Sequence, residues 1–533
     1  MIFQFEQIDE YDNVLIKNTH PYDWKNPVSD GRYNLVVIGG GTAGLISAAG
    51  AAMVGAKVAL IENSILGGDC LNFGCVPSKS IIRSARAARE ARRAGDFGVS
   101  IRGEIEPDFP AIMKRMRELR SRISFHDSAE RYKKMGVDVF LGTARFCSRD
   151  TLLVGETEIR FNKAVIATGA RAAIPDIPGL VDAGYLTNET VFSLTSLPRR
   201  LAVIGGGPLG CELAQAFQQL GADVRILHRG RRLLGQADEE ASEILRRTFA
   251  REGIQILLNT VPREISKAGQ GKTIHYEMDG VRESMEVDEI LVGAGRAPNV
   301  QGLGLEFAGV EYDLRKGIKI NDYLATTNPN IHAAGDVCLP FKFTHMADMT
   351  ARMALRNALF AGRAKISDLV IPWVTYTDPE IAHVGMSSEE AQQKGIPVET
   401  FSRSLTEIDR ALLDGETDGV VKIHVRRGTD RIAGATIVAA HAGEMISEIS
   451  TAITHGIGLR QLSSVIHPYP TQAEAIKSVV DSFNRGRLTP FVRKALSLWL
   501  RISRTETATM MGKSIQRSKM SLLNALRGLH RRR

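Results

Sequence analysis

Two strand–glycine turn–helix units constrain this chain more than any other feature. A strand from Leu35 runs into the first turn, and a strand from Leu201 runs into the second, 166 residues further along. The glycines of the turns are Gly39, Gly41 and Gly44 in the first unit and Gly205, Gly207 and Gly210 in the second. Glycine lets the backbone approach a pyrophosphate, which the free N–H groups of the helix start then bind. The pattern predicts an α/β fold with two Rossmann-like nucleotide-binding domains, the second inserted into the first.

The residues after each unit's second strand predict which nucleotide is bound. Glu62 closes that strand in the first unit, 18 residues after Gly44, where a carboxylate accepts hydrogen bonds from ribose hydroxyls. In the second unit His228, Arg229 and further arginines follow the strand. Arginine grips a 2′-phosphate bidentately, so this segment predicts NADPH, with NADH as the alternative. A solvated basic loop with no role in nucleotide binding also fits the pattern.

A cysteine pair lies between the two units. Cys70 and Cys75 have four residues between them and stand near the expected start of a helix. The dipole and free N–H groups of a helix start stabilise a thiolate, and Lys79 lies one turn later on the same face. No further Cys or His stands nearby at zinc-ligand spacing, so no metal site is expected. The remaining cysteines are expected to be buried, inert thiols: Cys147, Cys211 and Cys338.

The small number of cysteines bears on location. Five cysteines in 533 residues fit a reducing compartment better than a disulfide scaffold. The first residues lack a basic region before an apolar stretch, so no secretory signal is indicated. The 22 uncharged residues 35–56 contain six glycines, which suits a strand, turn and helix better than a membrane span. The expected location is therefore cytoplasmic, and the cysteine pair predicts redox chemistry.

Together these motifs resemble those of the class I pyridine nucleotide–disulfide oxidoreductases, the family of glutathione reductase, dihydrolipoyl dehydrogenase and mercuric reductase. The resemblance covers about residues 33–483. Two more segments carry it: Ala167-Thr-Gly169 is similar to the family's crossover segment, and Thr326-Thr-Asn-Pro-Asn-Ile-His-Ala-Ala-Gly-Asp336 is similar to its second FAD motif. The resemblance implies FAD in the first nucleotide domain, NAD(P)H in the second, and a homodimer formed through a C-terminal α+β domain.

The resemblance also implies a role for each site residue. NADPH would reduce one face of the FAD, and the reduced flavin would open the cysteine pair on the other face. Cys75 would be the flavin-side thiol, and Cys70 the exposed thiol that meets the substrate. Lys79 would lie near the flavin, paired with Glu212, although an acid at a helix start is also favoured by the dipole. Asp336 would bind the ribityl chain. The other cofactor contacts that the resemblance implies are Thr168, Gly169 and Gly295.

The C-terminal end departs from the family's pattern. Members that act on disulfides or dithiols carry a His-Pro dipeptide with a Glu five residues after the His. The His is their general acid–base catalyst. Here the aligned position holds Tyr469, a poor proton carrier at neutral pH. His467 falls two residues early and would need a shifted register to substitute. Glu474 matches the family's Glu but also fits a capping box with Thr471.

This departure sets the predicted function. Tyrosine at that position resembles mercuric reductase, although no cysteine follows Cys338 to act as that enzyme's C-terminal relay. The leading interpretation is an FAD-dependent NAD(P)H oxidoreductase that passes electrons through the cysteine pair to a metal ion or another small electrophilic acceptor. The first alternative is a dihydrolipoyl dehydrogenase-like enzyme that uses His467. The second is a membrane-associated flavoprotein redox sensor.

The net charge of +8 comes from one end of the chain. Residues 484–533 contain thirteen Lys or Arg and one Glu, so the rest of the chain is slightly acidic. Apolar residues alternate with these charges, a pattern typical of helices that lie on anionic membranes. A helix packed on the body and a disordered basic end are the alternatives. No nucleic-acid-binding motif is present, so no nucleic-acid partner is expected.

The changes in pattern along the chain predict six segments. They are an N-terminal extension (1–31), the first part of the FAD domain (32–185), the NAD(P) domain (186–297), the second part of the FAD domain (298–367), the dimerisation domain (368–483) and a basic amphipathic tail (484–533).

Overall fold

The computed structural model describes residues 8–269 and 271–503, with only the backbone of Ile502. The predicted α/β architecture is confirmed, because parallel strands alternate with helices in two separate sheets. The elements up to the second glycine unit are α1 (Glu10–Thr19), β1 (Arg32–Ile38), α2 (Thr42–Met53), β2 (Val58–Glu62), α3 (Gly68–Asn72), α4 (Cys75–Arg92), α5 (Phe109–Ser124), α6 (Ala129–Lys134), β3 (Val137–Leu141), β4 (Ala144–Phe146), β5 (Thr151–Val154), β6 (Thr157–Ile166), β7 (Ala170–Ala172) and α7 (Leu180–Ala183).

The first sheet has the strand order β3-β2-β1-β6-β5-β4. Its strands β1, β2 and β3 are parallel to each other and to β6, and β2 is buried along its whole length, as expected for an apolar strand covered on both faces. Helix α2 is built from small residues, which lets it pack closely on a neighbouring helix: a Cβ on Gly50 would lie 2.7 Å from the Leu355 side chain. The apolar segment 35–56 is therefore a strand, a turn and a buried helix.

A second sheet, with the order β10-β9-β8-β14, follows in the chain. Its strands are all parallel. An antiparallel layer, β11-β12-β13, stands beside it. The elements of this region are β8 (Arg200–Ile204), α8 (Pro208–Leu220), β9 (Asp223–Leu227), α9 (Glu239–Arg251), β10 (Gln255–Leu257), β11 (Thr260–Ala268), β12 (Gly271–Met278), β13 (Val281–Val287), β14 (Glu289–Val292) and β15 (Arg296–Pro298).

The chain then returns to the first sheet, as an inserted second unit requires. The returning elements are α10 (Leu305–Ala308), β16 (Tyr312–Asp313), β17 (Gly317–Ile318), β18 (Ile331–Ala333) and α11 (Thr344–Phe360). Strand β18 pairs in parallel with the end of β6, and α11 packs on α2. Strand β15 pairs with β7, which ties the two crossover segments together.

The C-terminal part is an antiparallel sheet covered by helices, with the order β19-β20-β23-β22-β21. Its core is formed by apolar residues of β20, β22 and β23 packed against α14 and α16. The elements are β19 (Pro372–Thr375), β20 (Glu380–Gly385), α12 (Ser388–Gln393), β21 (Val398–Ser404), α13 (Asp409–Leu413), β22 (Val420–Arg426), β23 (Ile432–Ala439), α14 (Ala442–Thr454), α15 (Leu459–Leu462), α16 (Glu474–Gly486) and α17 (Pro490–Ile502).

The N-terminal extension contains a packed helix that the sequence did not indicate. Leu15 and Ile16 of α1 are fully buried in a cluster with Ile65, just before the redox segment. Asp12 and Arg120 form an ion pair at 2.7 Å, with both side chains 2% exposed. The extension therefore packs against the cysteine-bearing segment and is more than a polar segment before the first strand.

The basic tail is described only as far as residue 503. Helix α17 covers its first part, and residues 504–533 of the predicted amphipathic tail lie outside the described residues. Among residues 8–269 and 271–503, no helix combines the length and apolarity that a membrane span needs.

Candidate active site

The two cysteines lie on consecutive helices, Cys70 within α3 and Cys75 as the first residue of α4. No side chain caps the start of α4, which follows Gly74. Gly68 has a φ of 59°, and a Cβ there would lie 2.5 Å from the Cα of Gly41. Glycine therefore lets the redox segment lie directly against the first glycine turn.

The two thiols are free and lie within hydrogen-bond reach of each other. Thr344, the first residue of α11, places its Oγ1 3.4 Å from Cys75 Sγ. The hydrogen bond from Cys70 lowers the pKa of Cys75 to about 6, and Thr344 and the Lys79 charge act in the same direction. The same bond, together with burial, raises the pKa of Cys70. The reduced pair therefore favours one thiolate, on Cys75.

Both thiols line a continuous cleft of about 2140 Å³ that also contains the two glycine turns. Contrary to the expectation that Cys70 is the exposed thiol, Cys75 is exposed and Cys70 is half-buried in the described chain. The expectation for the other cysteines is correct in part, since Cys211 and Cys338 are buried. It is wrong for Cys147, which is exposed near a strand end and donates to Thr151 O at 3.5 Å.

Lys79 and Glu212, 133 residues apart in the chain, are brought together as expected. Lys79 Nζ lies 2.6 Å from Glu212 Oε2, and the Glu212 side chain is 5% exposed. The other carboxylate oxygen accepts from the backbone N–H of Tyr376 at 2.8 Å. The ammonium also lies 4.6 Å from the centre of the Tyr376 ring. This clamp holds a cation one helical turn from Cys75.

The first glycine turn is shaped for a ligand that approaches the backbone closely. A Cβ on Gly39 would lie 2.4 Å from Ala167 O, and one on Gly44 would lie 1.7 Å from Gly39 O. Gly41 precedes α2 without a side-chain cap, so its first N–H groups are offered to the cleft. The turn fits the pyrophosphate of a dinucleotide such as FAD.

The second glycine turn repeats this geometry. Gly205 has a φ of 118°, and a Cβ there would lie 2.5 Å from Gly293 O. A Cβ on Gly210 would lie 2.0 Å from Gly205 O, whereas one on Gly207 would meet open space. Gly295, with a φ of 128°, lines the same part of the cleft. The residues of this turn fit a second dinucleotide.

Glu62 and His228 occupy equivalent places in the two units. Glu62 Oε2 accepts from Gly40 N at 2.6 Å, and His228 Nδ1 accepts from Gly206 N at 3.1 Å. Burial lowers the pKa of His228, so this imidazole is neutral. Burial also raises the pKa of Glu62, against the hydrogen bonds from the backbone. The first site therefore offers a carboxyl group at this place and the second a neutral ring.

Only part of the basic segment after His228 faces the cleft. Arg229 is exposed and lines the cleft. Arg232 instead forms two hydrogen bonds of 3.0 Å to Glu389 in the C-terminal part of the chain. Arg232 therefore serves interdomain packing, and Arg229 is the arginine of this segment that lines the cleft.

The crossover and second FAD motifs meet beside the redox segment. Thr168 Oγ1 donates to Asn299 O at 2.7 Å, and Gly169 has a φ of 68°. Asp336 lies 3.6 Å from the guanidinium of Arg296, and burial raises the pKa of its carboxyl group. Thr168, Gly169 and Asp336 all line the cleft, as expected of cofactor contacts.

Several site residues were missed by sequence reasoning. Arg296 joins Asp336 to Asp69, at 3.2 Å from the latter, and Asn188 donates to Asp69 at 2.8 Å. Thr344 contacts Cys75 across 269 residues of chain, and no local pattern announces such a contact. Arg296 directly follows Gly295, so its neighbourhood could have been anticipated.

Comparison with known proteins settles the family. Residues 33–359 match the family model described as "Pyridine nucleotide-disulphide oxidoreductase", and residues 371–480 match the dimerisation domain of the same family. The chain belongs to the pyridine nucleotide-disulphide oxidoreductases. Enzymes of this family use FAD and a pyridine nucleotide, and the two glycine turns fit these two dinucleotides.

Two curated relatives and two solved structures illustrate the range of this oxidoreductase family. Mercuric reductase of Staphylococcus aureus is 34% identical over 456 residues, which cover 86% of this chain and 83% of the relative. Dihydrolipoyl dehydrogenase of Chlamydia muridarum is 34% identical over 451 residues, covering 83% of this chain and 95% of the relative. The Cu(II) complex of the HOCl-induced flavoprotein disulfide reductase RclA from Escherichia coli superposes with a TM-score of 0.76 at 28% identity, covering 85% and 99% of the two chains. LpdA from Mycobacterium tuberculosis superposes with a TM-score of 0.76 at 27% identity, covering 84% of this chain and 99% of that one.

The C-terminal residues lie away from the oxidoreductase cysteines of the same chain. Tyr469 is 68% exposed and donates to Asp409 Oδ2 at 2.9 Å, which raises the pKa of the phenol. Glu474 is the first residue of α16. The capping box expected for Glu474 is absent, because the hydroxyl of Thr471 donates to Pro468 O at 2.8 Å. None of these side chains lines the cleft of the described chain.

His467 is held in a different way from the exposed tyrosine. Its side chain is 5% exposed, and its Nε2 lies 3.0 Å from Glu448 Oε1. Two histidines line the cleft, His228 and His345, and sequence reasoning did not single out His345. Its Nε2 lies 2.8 Å from Pro372 O, and its ring stacks on Phe343.

Proposed function

We propose that this oxidoreductase transfers electrons from NADPH, through Cys70 and Cys75, to a thiophilic metal ion or another small electrophilic acceptor. FAD, when bound, supplies the two-electron relay between the nicotinamide and the cysteine pair. For a divalent ion such as Hg(II) the balanced reaction is NADPH + Hg²⁺ → NADP⁺ + Hg⁰ + H⁺. The first relative named above is a mercuric reductase, and the first structural neighbour is a Cu(II) complex.

The electrostatics of the pair suit a soft metal ion. Metals bind thiolate rather than thiol, and the hydrogen bond from Cys70, with Thr344 and Lys79, keeps the pKa of Cys75 near 6. Binding of the ion between both sulfurs releases the proton of Cys70, whose raised pKa otherwise retains it. Thr344, already 3.4 Å from Cys75 Sγ, steadies the thiolate during this exchange. We assign Cys75 to the flavin side and Cys70 to the acceptor side.

The choice of a metal ion rather than a disulfide as acceptor rests on the burial of His467 and its pairing with Glu448. Disulfide and dithiol substrates need a proton carrier that titrates near neutrality. His467 is almost fully buried, and its Nε2 is tied to Glu448, so it is poorly placed to meet a substrate. Tyr469 is exposed, but its hydroxyl donates to Asp409 and its pKa is raised further. A metal ion reduced by two thiolates needs no such carrier.

Two further assignments belong to this proposal. NADPH is the preferred donor, because His228 replaces a carboxylate and Arg229 faces the cleft. A homodimer is the functional unit, because residues 371–480 match a dimerisation domain. In that unit Tyr469 and Glu474 would face the partner's cysteines, which fits their distance from the cleft of their own chain.

The test is anaerobic NADPH oxidation by the holoenzyme with Hg(II), Cu(II), glutathione disulfide and lipoamide as separate acceptors. We expect at least one metal ion to be reduced faster than either disulfide. Cys70→Ser should abolish metal reduction while flavin reduction by NADPH persists. Cys147→Ser, a matched change at an exposed thiol, should leave both rates unchanged. Faster turnover with lipoamide or glutathione disulfide would refute the choice of acceptor.

A further inference from the structure

Helix α17 presents an exposed apolar face that the described chain does not bury. Phe491 is 80% exposed, Leu498 58% and Leu500 54%. A helix turns about 100° per residue, so the apolar residues of α17 fill an arc of about 200°. Exposed apolar surface of this kind marks an interaction site rather than ordinary surface.

The opposite side of α17 is basic. Arg493, Lys494 and Arg501 share the narrow polar arc with Ser497. Arg485 and Arg487 precede the helix, and residues 484–503 contain no acid. The long stems of arginine and lysine let their charges reach outward from the edge of an apolar face. The surface therefore combines an apolar face with positive edges.

We propose that α17 docks on an anionic phospholipid bilayer, with its apolar face in the interface and its basic edges against the lipid phosphates. Charge complementarity selects this occupant. A second copy of residues 484–503 would bring five positive charges against five, and residues 504–533, with eight Lys or Arg and one Glu, carry the same sign. A nucleic acid would match the charge but would leave the apolar face in water. An anionic bilayer satisfies both halves of the helix.

The experiment uses the full-length holoenzyme and sedimentation with vesicles of equal parts phosphatidylglycerol and phosphatidylcholine, or of phosphatidylcholine alone. Leu498→Glu and Ser497→Glu make the same charge change at adjacent positions about 100° apart around the helix, the first in the apolar arc and the second in the polar arc. We expect Ser497→Glu to weaken partitioning about five-fold through charge. Leu498→Glu should weaken it by a further ten-fold or more through loss of apolar burial. NADPH oxidation should be unchanged in both.

Two further measurements guard the interpretation. Leu498→Ala retains high helix propensity and should still weaken partitioning, which separates loss of contact from loss of helix. Emission of Trp499, isolated by comparison with Trp499→Phe, should shift to the blue on anionic vesicles only. Equal losses for the two Glu variants, or equal binding to neutral vesicles, would overturn the proposal. A smaller sedimentation coefficient of Leu498→Glu without vesicles would assign the face to a second copy instead.

Discussion

The contact between Thr344 and Cys75 makes a quantitative prediction about thiol reactivity. Thr344→Val keeps the side chain's approximate shape but removes the hydroxyl that lies 3.4 Å from Cys75 Sγ. A hydrogen bond to a charged group contributes about 1.5–3 kcal/mol, and about 1.4 kcal/mol corresponds to one pH unit. The hydroxyl favours the thiolate, so its loss raises the pKa. We expect the pKa of Cys75 to rise from about 6 to roughly 7–8.

The assay is the pH dependence of Cys75 alkylation by iodoacetamide in the dithionite-reduced holoenzyme, followed by mass spectrometry. The rate should rise through the pKa of Cys75 in each protein. Thr350→Val is the matched control, because its hydroxyl lies on the same helix but bonds Met346 O and Gly335 N. An unchanged midpoint in Thr344→Val, or an equal shift in Thr350→Val, would refute the assignment of Thr344 to the thiolate.

Two further predictions concern the N-terminal extension and the nucleotide preference. Asp12→Asn removes the carboxylate facing buried Arg120, a change that costs about 3–5 kcal/mol, so the temperature of thermal inactivation should fall clearly. Asp9 pairs with Arg117 at 2.6 Å in a more solvated place, so Asp9→Asn should cost less than about 1 kcal/mol, and equal effects of the two substitutions would contradict the burial argument. Arg229→Ala should raise the KM for NADPH about ten- to hundred-fold and leave that for NADH unchanged in steady-state assays. Arg232→Ala should change neither, and a parallel rise for both nucleotides would exclude contact between Arg229 and a 2′-phosphate.

Much of the nucleotide-binding framework could be predicted from the sequence, because its signals are local. The glycine turns at Gly39 and Gly205 need positive φ and close backbone approach, and only glycine meets both needs. The apolar strands that flank these turns identify the two parallel sheets, because their pattern is also local. The exact bounds of the six predicted segments stay predictions. The pairing of Lys79 with Glu212 was anticipated through the family resemblance rather than from spacing.

The residues that were missed depend on contacts between distant parts of the chain. Nothing near Thr344 indicates that its hydroxyl will meet Cys75, because that contact forms only when α11 docks beside α4. The burial of Leu15 and Ile16 likewise depends on a site formed by the redox segment and α5. In the sequence Asp12 is an ordinary polar residue, because its partner Arg120 lies 108 residues away and meets it only in the folded chain. Local pattern carries no information about such partners.

The central claim is that the cysteine pair is an electron store between the flavin and the acceptor. Anaerobic dithionite titration of the holoenzyme, followed by flavin absorbance, measures that store directly. We predict that the wild-type protein takes up one more electron pair per flavin than Cys70→Ser, and that addition of the metal acceptor withdraws this extra pair. Equal uptake by the two proteins would contradict the claim.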